Sequence, residues 1–270
     1  FSGNATKIGG SGGTIAVLST GVTITGTTIQ TTYVLDESNK FKAKATNGGG
    51  LYAEGSTVNL KGGNTFTDNR ANNGGAIYIL NSRIFGTGDN LISGNTATYG
   101  GGLYIKTNTK EDNPMTLSGL NITSNTADTG NGGGVYVASG AVKLTDGSIS
   151  GNRATAGVNR ISGEDNLSIG LGGGVYVAKD AHLTIDTSQT DGIITGNTAV
   201  YGGGIYTAGT TTLTNGVVQG NIATMGQEDT SAGTSIKREA KGGGVFVSGT
   251  LSVSGGSISG NRADMGGGVY

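Results

Sequence analysis

The chain has no cysteine, no tryptophan and a single proline in 270 residues. Without cysteine, neither a disulfide nor a thiolate metal site can form. No run of 18 apolar residues occurs, so no segment is expected to insert into a membrane as a helix. The opening Phe1-Ser2-Gly3-Asn4 is already polar and reads as no signal peptide. Charge is scarce as well: 17 Lys and Arg stand against 18 Asp and Glu, a formal net charge of -1. That balance argues against nucleic acid as a partner. Charged residues at 13% are also too few for charge-driven disorder. Hydrophobic residues at 34% are few for a packed globular enzyme. What is abundant is glycine, 55 residues, about three times the usual share. One proline and no G-X-Y period exclude collagen. A chain with few large side chains must still bury a core, and repetition is one way to do it.

A Gly-Gly-Gly/Ala-aliphatic-aromatic unit recurs along the chain. It reads Gly48-Gly49-Gly50-Leu51-Tyr52, then Gly74-Gly75-Ala76-Ile77-Tyr78, then Gly100-Gly101-Gly102-Leu103-Tyr104. It returns at Gly132–Tyr136, Gly172–Tyr176, Gly202–Tyr206, Gly242–Phe246 and Gly266–Tyr270, with a weaker copy at Gly12–Ala16. Steps between the aliphatic residues run 36, 26, 26, 32, 40, 30, 40 and 24. The shortest is the bare unit, and the others are that unit with insertions. A second motif precedes each cluster: an aliphatic residue or Phe, two residues, Asn, one residue, Ala. Examples are Phe66-Thr67-Asp68-Asn69-Arg70-Ala71 and Ile92-Ser93-Gly94-Asn95-Thr96-Ala97, with further copies around Asn125, Asn152, Asn197, Asn221 and Asn261.

Each unit holds three short runs with strand alternation, such as Val135–Val137, Val142–Leu144 and Ser148–Ser150. Gly140, Gly147 and Gly151-Asn152 break them at corners, where Gly and Asn accept left-handed backbone angles. No stretch shows a 3.6-residue period. Three strands per 24-residue turn, stacked turn on turn, is an all-β, single-stranded parallel β-helix of about eight rungs. At roughly 4.8 Å per rung the rod would be about 38 Å long. The expected interior is Ile15, Val17, Leu51, Ile77, Ile79, Leu103, Ile105, Val135, Val137, Val175, Val177, Ile205 and Val245. Later strands add Leu144, Ile149, Leu183, Ile194, Leu213, Leu251 and Ile258. The whole chain reads as one repeat domain, and as a fragment of a longer protein because it begins and ends inside a repeat.

Several columns carry the functional question. Seven Asn residues at one corner predict an internal amide ladder, with a polar binding stripe as the alternative. The aromatic column, from Tyr52 to Tyr270, lies between inward residues and is expected to face outward as a ladder of rings. Such rings stabilise a solenoid, and they can also anchor a sugar or a protein; Tyr104, Tyr136, Tyr176 and Tyr206 are the candidates for contact. The Gly triplets lack the order, helix and Lys of a phosphate loop, and read as crowded corners. Four insertions, at about 31–44, 106–114, 155–171 and 224–241, interrupt the repeat. Two of them follow the Asn152 and Asn221 corners, two rungs apart and close enough to touch. Their charged residues complete the candidate site: Arg160, Glu164, Asp165, Glu228, Asp229, Lys237 and Arg238.

Catalysis is not expected. Polysaccharide lyases and hydrolases are built on parallel β-helices, but a hydrolase needs two facing carboxylates. A lyase needs a base, often beside a calcium site. The 18 acidic residues are scattered, and the single His182 sits beside inward Leu183 and is expected to face out. No catalytic residue, metal site or cofactor is predicted.

Gly74-Gly75-Ala76-Ile77 together with Phe66-Thr67-Asp68-Asn69 resembles the GGAI and FxxN repeats of the chlamydial polymorphic membrane protein family. The other units are close variants, as in Ile194-Thr195-Gly196-Asn197, and the resemblance covers nearly the whole chain. It implies a right-handed parallel β-helix on the bacterial surface or secreted, an adhesin or autotransporter-like outer-membrane passenger. The implied partner is a host surface protein or glycan. A carbohydrate-active β-helix and a purely architectural spacer are the alternatives.

Overall fold

The structure, a computed structural model, describes residues 10–30, 34–35, 41–43, 45–161, 164–187, 193–225 and 239–270. The described residues form strands and turns with no helix. The chain winds through eight rungs and enters a ninth, each rung stacked on the last by parallel pairing. The Gly-triplet strands make the first ladder: Ile15–Leu18, Leu51–Glu54, Ile77–Leu80, Leu103–Lys106, Val135–Leu144, Val175–Val177, Ile205–Thr207 and Val245–Val247. The second run of each unit pairs likewise, in a three-strand group up to Arg83–Thr87 and a five-strand group from Met115–Leu117 onward, which includes the second half of Val135–Leu144. The insertion holding Pro114 falls at that break. The third ladder runs through eight strands from Thr28–Gln30 to Ser257–Ser259.

The three expected strands per rung are joined by a fourth, short ladder at the Asn-x-Ala corner, from Ala45–Asn47 to Ile222–Ala223. Its origin is local. The residue after each Asn donates its N–H to the Asn carbonyl one rung back: Thr96 to Asn69, Thr126 to Asn95, Arg153 to Asn125 and Thr198 to Asn152, each at 2.9 Å. A corner that pairs at every rung is a strand in its own right.

Equivalent residues lie in register, so each column of the repeat becomes a column in space. Leu51, Ile77, Leu103, Val135, Val175, Ile205 and Val245 stack along the axis, all essentially inaccessible. Phe66, Ile92, Ile122, Ile149, Ile194 and Val218 close the core from the third ladder. Each such side chain stabilises by about 1.5–3 kcal/mol on burial, so a handful per rung suffices. Leu251 and Ile258, expected inside, are only partly buried because they belong to the last full rung. Ile15, in the first rung, is likewise partly buried.

The Gly triplets are required by close backbone approach. Gly100 has φ +65°, and a Cβ there would sit 2.3 Å from the Leu103 carbonyl oxygen. A Cβ on Gly101 would sit 2.4 Å from the Gly133 oxygen of the next rung. Both contacts are with backbone and cannot relax cheaply.

The insertions carry the antiparallel pairs seen among the described residues. Val34–Leu35 pairs Phe41–Ala43, and Gly157–Ile161 pairs Glu164–Ser168 as a hairpin. A single antiparallel bridge, Lys110 to Asn113, shapes the 106–114 insertion. Arg83 holds that insertion by donating to the carbonyls of Pro114 at 3.1 Å and Asn113 at 3.3 Å.

Candidate recognition face

The outward residue of the Gly-triplet strand is aromatic in seven consecutive rungs and again at Tyr270. Parallel, in-register pairing puts each ring over the next at the rung spacing. Centroids lie 5.5 Å apart for Tyr52–Tyr78, 4.8 Å for Tyr78–Tyr104, 4.9 Å for Tyr104–Tyr136 and 4.7 Å for Tyr136–Tyr176. The ladder continues at 5.3 Å to Tyr206, 4.9 Å to Phe246 and 5.3 Å to Tyr270. Planes are within 20° of parallel throughout. Rings packed in this way cover one another's faces, so what the ladder presents outward is ring edges and hydroxyls.

Exposure varies along the column. Tyr52 and Tyr78 are nearly closed off, at 9% and 8% exposure. Tyr104, Tyr136, Tyr176 and Tyr206, the four singled out from sequence, are half-buried and contiguous. Burial raises the phenol pKa along the ladder from Tyr52 to Tyr176. Tyr104 is pushed up to about 12 by desolvation, with Tyr78 and Tyr99 adding to it. Tyr52 is also pushed up to about 12, first by burial and then by its 2.8 Å hydrogen bond to Glu54. Tyr78, Tyr136 and Tyr176 move in the same direction, again chiefly through burial.

A second column flanks the ladder, formed by the residue just before each Gly triplet. Asn73, Tyr99 and Asn131 pair in series, and so do Leu171, Tyr201, Lys241 and Met265. Tyr99 meets Tyr136 edge-on, with centroids 5.5 Å apart at 65°. Tyr201 stacks on Phe246 at 5.1 Å. The Lys241 ammonium donates to the Tyr270 hydroxyl at 2.9 Å and lies 4.6 Å from that ring's centroid. Sequence reasoning missed this column, although its signal was present: Tyr99, Tyr201 and Lys241 each stand immediately before a Gly triplet. Together the two columns make one continuous aromatic face, widest around Tyr136 and Phe246.

The Asn column is internal. Asn69, Asn95, Asn125, Asn152, Asn197 and Asn221 are all at most 1% exposed. Each side-chain amide donates to the Oδ1 of the next Asn at 2.9–3.0 Å and to a carbonyl of the preceding rung. The Oδ1 of Asn95, Asn125, Asn152, Asn197, Asn221 and Asn261 each accepts the backbone N–H of the preceding Asn, while Asn69 Oδ1, at the start of the column, is buried and finds no partner among the described residues. These groups hold the corner and present nothing to solvent. A second buried amide pair, Asn64 and Asn90 at 2.8 Å, stiffens another corner.

The charged insertion residues fall apart into two sets. Arg160, Glu164 and Asp165 lie in the hairpin, where Arg160 is registered opposite Asp165 and Ile161 opposite Glu164. Glu228, Asp229, Lys237 and Arg238 lie outside the described residues. In the 106–114 insertion, Glu111 comes to 3.0 Å from Nδ1 of His182, which is partly exposed. Among the described residues no group of three or more His, Cys, Asp or Glu side chains is placed to hold a metal ion. Likewise no described helix is long and apolar enough to cross a membrane.

Residues 65–80 match the family model of the Chlamydia polymorphic membrane protein repeat. They span Phe66, Asn69 and the Gly74–Ile77 cluster, so the chain carries a repeat of this type. Neither the curated proteins nor the solved structures contain a match.

Proposed function

We propose that this β-helix is a non-catalytic recognition rod displayed on a bacterial surface or secreted, and that its aromatic face contacts a host protein or glycan. The observation that carries the reading is the continuous ladder from Tyr52 to Tyr270 with Tyr99 and Tyr201 beside it. Core packing does not demand aromatic residues at an outward position, since the outward column of the third ladder is polar at Thr67, Ser93, Thr123, Ser150, Thr195, Gln219 and Ser259. Tyrosine suits contact surfaces because it brings a large rigid apolar body and a polar tip at low entropic cost. The matched repeat type supports the location, by its name as a bacterial membrane protein.

The ring faces are occupied by one another, so the ligand lies along the edges and spans several rungs. An extended glycan or a protein strand has that shape. Purified protein on glycan and host-protein arrays tests the proposal, alongside assays for new reducing ends and for unsaturated sugar products. Saturable binding without product formation is the expected result. Turnover that is abolished by substituting an insertion acid such as Glu164 would sink it.

A further inference from the structure

We propose a second binding site, for a single carboxylate-bearing sugar unit, in the notch between the stubs of the two long insertions. This extends the recognition reading to another face of the rod. The rung from Asn197 to Gly202 has no insertion, while the rungs below and above it leave the same corner as long excursions after Asn152 and Asn221. The structure shows a notch there of about 350 Å³, reaching from Asp128 and Arg153 across Thr198 to Met225. That is the small end of ligand pockets, with room for about one ring.

The lining has a distinct chemistry. Ala154, Ala199 and Val200 beneath the notch are each at most 3% exposed, so the apolar surface it offers is the Met225 side chain, exposed at one wall. One cation faces the notch unpaired. Asp128 is 3.8 Å from Arg70, whereas Arg153 is exposed and has no ion-pair partner among the described residues. An unpaired guanidinium takes a carboxylate in a forked, two-bond geometry. The exposed Met225 side chain packs against the C–H face of a ring, and the Thr198 and Thr224 hydroxyls at the rim match ring hydroxyls. A peptide strand is less suited, because the floor's backbone is already used. The Thr198 N–H donates to Asn152 and the Val200 N–H to Gly170, leaving no free edge there to extend.

Methionine methyl groups provide the test. The chain has three: Met115 in the core, Met225 at the notch and Met265 on the last rung. In protein labelled with ¹³C at the methionine methyls, methyl glucuronide is titrated to concentrations on the order of 10 mM, near the weak affinity of a single sugar. Met225→Leu assigns the reporter signal. The expected result is a saturable shift of the Met225 signal with Met115 and Met265 unmoved, and none with the neutral methyl glucoside. Arg153→Ala should weaken binding at least tenfold, with Arg153→Lys intermediate; unchanged Met115 and Met265 signals certify the fold of each variant. The proposal is overturned by no Met225 shift, by equal response to glucoside, by an unaffected Arg153→Ala, or by equally tight binding of a short peptide with a free C-terminus. Because the readout is local to the notch, its failure leaves the tyrosine face untested and intact, and the reverse holds as well.

Discussion

Replacing Asn125 by Ala should destabilise the rod strongly, although it removes only one small polar side chain. The Asn125 side chain is fully buried and makes four hydrogen bonds. Its Nδ2 donates to the Ile92 carbonyl at 2.9 Å and to Asn152 Oδ1 at 3.0 Å. Its Oδ1 accepts the Asn95 N–H at 3.0 Å and the Asn95 Nδ2 at 2.9 Å. Alanine leaves the Asn95 N–H and the Ile92 carbonyl without these partners in a site closed to water. A buried group left unpaired costs about 1–3 kcal/mol, so two of them with the lost packing give about 3–5 kcal/mol. The control is Asn73→Ala. Asn73 is only partly buried and loses one bond, 2.8 Å to Asn47, for about 1 kcal/mol or less. Urea unfolding followed by far-ultraviolet circular dichroism measures both, provided the slopes agree. If Asn125→Ala and Asn73→Ala fall within about 1 kcal/mol of each other, the ladder is not what holds the corner, and the reasoning fails.

Three further outcomes follow from the same structure. Ser124 is held at φ +56°, where most other rungs place Gly, so Ser124→Gly should raise stability by about 0.5–1 kcal/mol; a loss on thermal melting contradicts this. Thr207 is fully buried with a hydroxyl that finds no partner among the described residues. Thr207→Val should therefore stabilise by about 1 kcal/mol, and a lower denaturant midpoint would refute it. Tyr52 and Tyr104 have folded pKa values of about 12, above the value of about 10 for a free phenol. The unfolded chain therefore gives up its phenolic protons first, so stability is intact below about pH 10 and declines between about 10 and 12. The phenolate absorbance at 295 nm from Tyr52 and Tyr104, read as the difference from Phe variants at these positions, should appear together with loss of circular dichroism in that window, and its appearance near pH 10 in the folded protein would contradict this.

The columns that recur at a fixed offset from the Gly triplet were legible in the sequence. Asn69 through Asn261 and Tyr52 through Tyr270 each repeat often enough for spacing alone to give their place in the rung. What lay hidden depends on depth or on few copies. The Asn64–Asn90 pair occurs only twice, too few to read as a column. The Asn-x-Ala corner looks like a turn in one dimension and becomes a strand only because each N–H reaches the Asn carbonyl of another rung. Tyr52 and Tyr78 face outward as alternation requires, yet are nearly closed off. Alternation reports direction and says nothing of cover. The hairpin at Gly157–Ser168 has weak alternation of its own and reads from sequence as an insertion only.

The account rests most heavily on the aromatic face as the contact surface, and one comparison tests it directly. Wild-type protein and a Tyr136→Ser/Tyr176→Ser double variant are applied to the same glycan and host-protein array. Both positions point outward and are half-buried, so the variant should keep the strand signal of the fold. The account predicts saturable binding by the wild type that falls at least tenfold in the folded variant. Equal binding by the two proteins, or none by either, would contradict it.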